Sequence, residues 1–489
     1  MNSRLQKIKS FLLENKTIRQ TIIKNTFWLS FAHIFGRIFR AIIIIYAARI
    51  LGAENWGIFS YSTSIAVIFS LFMDFGINSI ILKEFSRQTE EIKKKYLGTA
   101  LILKIILIIL GTLIIIFIAP YFIKIEASKK LMPFVALILA FDVLRDFTFA
   151  ISRSQEKMQI ESFLYIFTNI NILIFSFILL KINPIIESFA LGYVLGTMIG
   201  SIISLFIFKN YLIDIIKYFS KNLIKKIIFA AWPFALSGIF TIFLTNTDLF
   251  LIGWFLDPRQ VGIYAAGLRI IQLLYVLPSI ITLSLLPVFV KFANKDNEKF
   301  KIVLENGLKI LSLIAFPLTI GGIILAKPII LFIFGKEYVS GASSFAVLTL
   351  TISIDFYVSI LSNAIFAYDK QKYLSIYTGI GAIFNVIFDL ILIPLYGIIG
   401  SAWATFFAQL ISNIYLWKKM NKINPFRFLP LIKKGLFAAI LMGGLSLILN
   451  FLNIQVLINI FISAIFYFII LYKIKEPIFQ EIKALRNNI

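Results

Sequence analysis

The sequence predicts an all-α integral membrane protein of fourteen transmembrane helices: two six-helix lobes in parallel pseudo-two-fold repeat, followed by two C-terminal helices. Three observations predict it. First, 60% of the 489 residues are hydrophobic and 15% are charged, where a soluble domain carries about 25% charged residues; mean hydropathy is +0.92. Second, the apolar residues arrive in long runs such as Ile102–Ile118, which do not alternate. Crossing ~30 Å of hydrocarbon takes ~20 apolar residues in a helix, whereas a barrel needs short alternating strands. Third, the segments joining the runs are alternately rich and poor in Lys and Arg.

In chain order, residues 1–24 carry Arg4, Lys7, Lys9, Lys16, Arg19 and Lys24 and read as a basic amphipathic lead-in at the membrane surface. No cleavable signal peptide is expected there, because no short apolar core precedes a small-residue cleavage site. The fourteen spans fall near 25–50, 55–80, 97–119, 131–151, 160–181, 186–208, 227–255, 260–290, 304–326, 342–367, 374–394, 397–417, 431–451 and 454–472. The expected organisation is the lead-in, a first lobe (25–208), a cytoplasmic linker (209–226), a second lobe (227–417), a basic linker with Pro425 and Pro430 (418–434), a helix pair (435–472) and a tail (473–489). An even number of spans puts both termini on one side. The lead-in, the loops on that side and the tail hold about 35 of the 48 Lys and Arg, which places both termini in the cytoplasm. Lys124, Lys129 and Lys130 depart from that pattern on the opposite side.

The net charge of +24 is thereby explained by loop placement and calls for no nucleic acid. With no Cys and one His, disulfides and Cys- or His-rich metal sites are excluded. No Gly-rich phosphate loop followed by Lys-Ser/Thr is present, so nothing points to ATP. No loop is long enough to house a catalytic domain, which argues against a membrane glycosyltransferase or polymerase.

An internal repeat supports the two lobes. Leu51-Gly-Ala-Glu-Asn-Trp-Gly-Ile-Phe59 follows the first span, and Leu256-Asp-Pro-Arg-Gln-Val-Gly-Ile-Tyr264 follows the seventh, at an offset of 205. Glu156-Lys157 and Asp369-Lys370 follow the fourth and tenth at an offset of 213, which also carries Asp142 onto Asp355. Six spans separate the halves, so the repeat is parallel, about an axis along the membrane normal.

The first span carries the main functional signal. Thr26, Ser30, His33, Arg37 and Arg40 recur every three or four residues and share one face of an otherwise apolar helix. Arg37 lies ~16 Å along the helix from Thr26, near mid-bilayer. Facing lipid there would cost ~2.5–3.5 kcal/mol per arginine. The pair must therefore face water or an acid inside the bundle. Guanidinium suits phosphate, since its planar fork binds two oxygens and stays charged. Two roles stand open for Arg37 and Arg40: holding the phosphate of an anionic substrate, or forming ion pairs with Asp74 or Asp248. His33 is either a titrating group or a hydrogen-bonding wall residue.

In the second lobe, Ser237, Thr241, Thr245 and Asp248 form the corresponding polar face, and Arg269 with Gln272 lies on the eighth span. Arg269 is a second candidate for substrate contact, or a partner of Asp248. Asp248, Asp74, Asp142 (with Arg145 and Asp146), Asp355 and Asp389 are intramembrane acids. Each is a candidate to couple transport to H⁺ or Na⁺, or to pair locally. Asp74, followed by Gly76, is also placed to cap the second span. Gly192, Gly196 and Gly200 make a small-residue ridge for close helix packing. Pro278 and Pro287 are expected to interrupt the eighth span, and Pro233 to open the seventh.

Taken together, the Leu51–Phe59 turn, Val261-Gly-Ile-Tyr-Ala-Ala-Gly-Leu-Arg269, Asp74-Phe-Gly76, Asp248 and Phe334-Gly-Lys-Glu-Tyr338 resemble the polysaccharide-transport branch of the multidrug/oligosaccharidyl-lipid/polysaccharide exporter superfamily. That branch includes the prokaryotic O-antigen-type flippases. The resemblance implies a V-shaped bundle that alternates between inward- and outward-open states, with a cationic cavity lined by spans 1, 2, 7 and 8. It implies as substrate a polyprenyl-pyrophosphate-linked oligosaccharide or polysaccharide repeat unit, no cofactor and no enzymatic activity. Membrane lipids, and by extension glycan-assembly proteins, are the implied partners, and the location is the cytoplasmic membrane. Related peptidoglycan-precursor flippases shape a lipid-tail groove with their last two helices, a role open to spans 13 and 14. The competing expectation is an ion-coupled multidrug antiporter of the same superfamily, against which the Arg stripe argues.

Overall fold

A computed structural model describes residues 18–85 and 89–476. The lead-in up to residue 17, residues 86–88 and the tail beyond residue 476 lie outside the described residues. Among the described residues every regular element is helical, and ten helices are long and apolar enough to cross a membrane. The outer faces are bare hydrocarbon: Phe117 is 65% exposed and Phe461 67%. Such faces are tolerable in lipid and costly in water.

The chain divides after Gly262 into two compact units. In the first, α1 runs Ile18–Phe69 and changes direction at Gly52, whose φ of 75° suits a residue without Cβ. The chain is already helical at residue 18, the first described, so residues 18–24 of the expected surface lead-in belong to α1. The second span is not the continuous helix expected. After α1 come α2 (Leu71–Asp74) and α3 (Ile77–Phe85), separated by Phe75 at φ 47° and Gly76 at φ 75°. Two successive left-handed residues cannot continue a right-handed helix. A Cβ on Gly76 would stand 2.8 Å from the Ala231 carbonyl oxygen, so neighbouring backbone holds the break closed.

Next come α4 (Glu90–Leu113, extended by a π turn to Ile118), α5 (Met132–Ser154), α6 (Met158–Ile182), α7 (Ile186–Ile207), α8 (Lys209–Ile216) and α9 (Lys221–Phe255). The expected linker at 209–226 is therefore largely helical. Pro233 lies within α9 rather than opening it. The glycine ridge does what its spacing predicts. Cβ atoms on Gly192, Gly196 and Gly200 would come within 2.5 Å of Ser176 Cα, 2.5 Å of Ile172 Cα and 2.1 Å of Thr168 Oγ1, all on α6. Gly196→Leu should force α6 and α7 apart and lower stability by about 1–3 kcal/mol or more. Thermal unfolding in detergent measures it, and an unchanged midpoint would contradict this packing.

Two of the three lysines that depart from the expected charge pattern, Lys124 and Lys129, are engaged locally. Lys124 Nζ donates to the Trp254 carbonyl oxygen at 2.7 Å, in the last turn of α9, where carbonyls lack helical partners. Lys129 pairs with Glu126 at 2.8 Å.

The second unit contains α10 (Pro258–Leu274, which begins just before the division), α11 (Val276–Phe292), α12 (Asn297–Ile324), α13 (Ala326–Phe334), α14 (Ala342–Ala367), α15 (Lys372–Ile423), α16 (Leu429–Phe451) and α17 (Val456–Lys473). The eighth span breaks at Tyr275, not at its prolines. Pro278 sits in the first turn of α11, where its missing N–H has no helical partner anyway. In α15 Gly397, at φ 60°, reverses the chain between two stretches of helix. α16 and α17 are fastened to α12: Tyr467 OH donates to the Leu313 carbonyl at 2.9 Å, and Lys309 pairs with Glu476 at 2.6 Å.

The proposed repeat motifs share local geometry. Glu156 and Asp369 are both left-handed, at φ 56° and 57°. The next residue in each turn bonds back identically, Lys157 N to Ser152 O at 2.9 Å and Lys370 N to Ile365 O at 3.2 Å. The two nine-residue motifs also meet reciprocally. A Cβ on Gly57 would stand 1.7 Å from Pro258 O, and one on Gly262 would stand 1.9 Å from Ala53 O.

Candidate functional site

A polar cavity of about 430 Å³ lies within the first unit, between α1, α3, α5 and α6. Its α1 wall carries His33 and Arg40, placed there because Gly36 lets α1 approach α6: a Cβ at Gly36 would stand 2.3 Å from the Tyr165 ring. His33 packs against that ring at 5.2 Å. Arg40 Nε donates to Asn169 Oδ1 at 3.0 Å, and its guanidinium carbon lies 5.8 Å from the Tyr193 ring centroid. Both partners are neutral. Among the described residues, no carboxylate lies within ion-pair distance of Arg40.

The α5 wall is charged in both senses. Arg145, deeply buried, lies 2.7 Å from Asp142 and 3.4 Å from Asp146. About two turns further, Arg153 grips Glu161 of α6 with both arms of its fork, at 2.8 and 2.5 Å. Beside the cavity, fully buried Lys104 of α4 is paired with Asp74. That pair answers the question left open for Asp74: its partner is Lys104, not Arg37 or Arg40. Asp74 remains partly exposed and Lys104 does not, so the two truncations differ. Asp74→Ala strands a buried ammonium and should cost about 3 kcal/mol, whereas Lys104→Met leaves a carboxylate that water reaches and should cost less. Thermal unfolding of the two variants checks the order.

Of the residues expected to form a site, His33, Arg40 and Asp142 come together here. Ser30 and Arg37 are half-buried and are not among the cavity's lining residues. On α9, Thr241 and Thr245 are exposed and turn their hydroxyls back to helix carbonyls, each at 2.9 Å, while Asp248 is buried. In the second unit, Arg269 Nη1 donates to Gln272 Oε1 at 2.8 Å. Asp355 accepts from Tyr275 OH at 3.2 Å and Asn413 Nδ2 at 3.0 Å, and Asp389 accepts from Ser401 Oγ at 3.0 Å. Asp142 and Asp355, matched in the repeat, thus have different surroundings: a guanidinium for one, neutral donors for the other.

Lys104, Arg153, Glu161 and Asn169 belong to this region without having been singled out from sequence. A lone Lys inside the Ile102–Ile118 run was a usable signal. Arg153 reads as a loop charge until α5 is seen to extend to Ser154.

The second unit holds a different cavity, about 600 Å³ and almost wholly apolar, bordered by α12, α16 and α17 with Leu313, Pro317, Met442 and Phe468 among its walls.

Residues 22–293 match the family described as "Polysaccharide biosynthesis protein", and residues 233–391 match the MatE family. The chain is 22% identical over 479 residues to the probable low-salt glycan biosynthesis flippase Agl15 of Haloferax volcanii, covering 96% of this chain and 98% of the relative. It is 20% identical to a putative O-antigen transporter of Shigella flexneri, covering 78% and 93%. Among solved structures, the lipid II flippase MurJ in an inward closed conformation superposes with a TM-score of 0.75 at 21% identity, covering 92% of this chain and 98% of that one. The family match takes in more than half of the sequence and the fold agreement nearly all of it, so this chain belongs to the polysaccharide biosynthesis protein family, in the polysaccharide-transport branch of the multidrug/oligosaccharidyl-lipid/polysaccharide exporter superfamily.

Proposed function

We propose that the protein is a flippase that moves a polyprenyl-pyrophosphate-linked oligosaccharide or polysaccharide repeat unit across the cytoplasmic membrane by alternating access, as a transporter and not an enzyme. The observation that carries this is Arg40. A guanidinium in a membrane helix, held by Asn169 and a tyrosine face and open to a polar cavity, keeps its charge for an incoming anion. The planar fork binds two oxygens of a phosphate or a carboxylate, and the pyrophosphate of a lipid carrier supplies such oxygens. Names of full-length relatives support the substrate class: Agl15 is described as a glycan biosynthesis flippase.

In this reading the fold comprises fourteen spans: nine of the ten long apolar helices cross once, α15 crosses twice about Gly397, α1 adds two crossings about Gly52, and α5 adds one. The spans form two six-helix lobes and a closing pair, with both termini cytoplasmic. Arg269 and Gln272 are the second lobe's contribution to substrate contact. The apolar cavity beside α16 and α17 accepts part of the polyprenyl chain. Asp142, Asp248, Asp355 and Asp389 remain the groups through which H⁺ or Na⁺ would drive the cycle, and glycan-assembly proteins are the expected neighbours.

Depletion tests the reading. Lipid-linked glycan should accumulate on the cytoplasmic leaflet, detected by its accessibility to a membrane-impermeant glycosidase in oriented vesicles. The MatE match favours one alternative, an ion-coupled antiporter for small drugs. Unchanged glycan export together with new drug sensitivity would establish that alternative and remove the first.

A further inference from the structure

The charges lining the first unit's cavity cancel: Arg40, Arg145 and Arg153 stand against Asp142, Asp146 and Glu161. Their distribution is uneven. Arg153 and Glu161 satisfy each other. Arg145 is shared by two carboxylates. Arg40 makes its hydrogen bond and ring contact with neutral groups, and Asp142 and Asp146 act on it only from beyond ion-pair distance. Among the described residues the cavity therefore has two carboxylates in contact with one guanidinium at α5, and a guanidinium with no carboxylate in direct contact at α1.

An anion entering alone would leave a net negative charge in a low-dielectric space. A proton entering alone would leave a net positive one. Either excess is strongly disfavoured, because an unbalanced charge out of water loses its solvation without a compensating partner. A proton taken up with the anion lowers that negative excess by one charge.

We propose that this cavity binds its anion and one proton together, the anion at Arg40 and the proton at Asp146. The step breaks no covalent bond. A water-borne proton adds to one Asp146 carboxylate oxygen, and the phosphate charge takes over the role that this carboxylate had in balancing the arginines. Asp146 is the acceptor rather than Asp142 because its contact with Arg145 is longer, 3.4 against 2.7 Å, and its side chain is more open, 51% against 22% exposed. The other charged or titratable groups around it are His33 and Arg40 on α1, Lys104 on α4, Asp142, Arg145 and Arg153 on α5, and Glu161 and Tyr165 on α6. Lys104 is already committed to Asp74. A proton on His33 would also balance the anion, so the test must separate the two. The proposal rests on the reading above, that Arg40 holds the substrate's phosphate, and adds that substrate loading is proton-linked.

The experiment uses the full-length protein in lipid nanodiscs with farnesyl pyrophosphate as probe, and Arg40→Ala protein as the background. Between pH 7.5 and 9 the probe's own ionisation is complete. Wild-type affinity should fall as pH rises, by up to about tenfold per unit for one linked proton. Calorimetry in buffers of different ionisation heat should show about one proton taken up per probe bound. Asp146→Asn should bind tightly across the whole range with no slope and no proton uptake, and His33→Gln should keep both. Wild-type binding that ignores pH and takes up no proton overturns the proposal but leaves the phosphate reading standing. Loss of the slope in His33→Gln with its retention in Asp146→Asn also overturns it. No probe binding above the Arg40→Ala background removes both readings. If Asp146→Asn does not fold, wild-type proton uptake and the His33→Gln slope decide.

Discussion

Gly57→Ala and Gly262→Ala should each lower thermal stability by about 1–3 kcal/mol or more, although Gly→Ala within a helix ordinarily stabilises by about 0.5–1 kcal/mol. The sign reverses because the added methyl has nowhere to go. At Gly57 it would lie 1.7 Å from the Pro258 carbonyl oxygen, and at Gly262 1.9 Å from that of Ala53. Both obstacles are backbone, which no rotamer change can move. The two helix ends must separate, and contacts such as the buried Trp56 packed on Phe189 loosen with them. Gly238 is the control. It lies in α9 with nothing within 4 Å of where its Cβ would be, so Gly238→Ala should be neutral or stabilising. Thermal unfolding of the three variants, followed by the monodisperse fraction in detergent, gives the comparison. Equal midpoints for Gly57→Ala and Gly238→Ala would mean that the two motifs do not meet as described.

Arg40→Ala should abolish transport while leaving expression and folding intact. Hydrogen bonds to a charged group are worth about 1.5–3 kcal/mol, so substrate binding should weaken by about ten- to a hundredfold. Arg40→Lys should retain only part of the activity, because an ammonium supplies charge without the two-armed geometry. Arg37→Ala should cost less than Arg40→Ala, since Arg37 is not among the cavity's lining residues. Flipping of a fluorescent pyrophosphate-linked lipid in proteoliposomes, at matched protein amounts, measures all three. Normal flipping by Arg40→Ala would end the phosphate role.

The comparison of Arg37 with Arg40 shows how far the sequence could be read. Their spacing puts both on the polar face of α1. Three residues along a helix turn a side chain by only about 60° from its predecessor on that face, so spacing alone ranks them equally. What separates them is α6, brought close at Gly36, which places Asn169 and Tyr165 beside Arg40 and His33. The charges of α5 make the same point. Asp142, Arg145 and Asp146 are neighbours in sequence, and their mutual pairing could be anticipated. The Arg153–Glu161 clamp crosses a turn between two helices and depends on where α5 ends. The breaks at Gly52 and Gly397 fall between spans that hydropathy had already separated. In the eighth span the interruption expected from its prolines lies at Tyr275, three residues before Pro278, and α11 runs on through Pro287.

The membrane-helical class, the glycine ridge, the paired motifs around Gly57 and Gly262, and the existence of a cationic face on α1 were all legible in the residues alone. These are local properties: hydropathy, periodicity and the absence of a side chain act at whatever place the chain takes them. Helix packing was needed to show that Asp74 belongs to Lys104, that Arg40 rather than Arg37 lines the cavity, and that the cavity's charges cancel. Those outcomes depend on which helix covers which face, and an ion pair is set by a few ångströms between segments that the linear sequence leaves far apart.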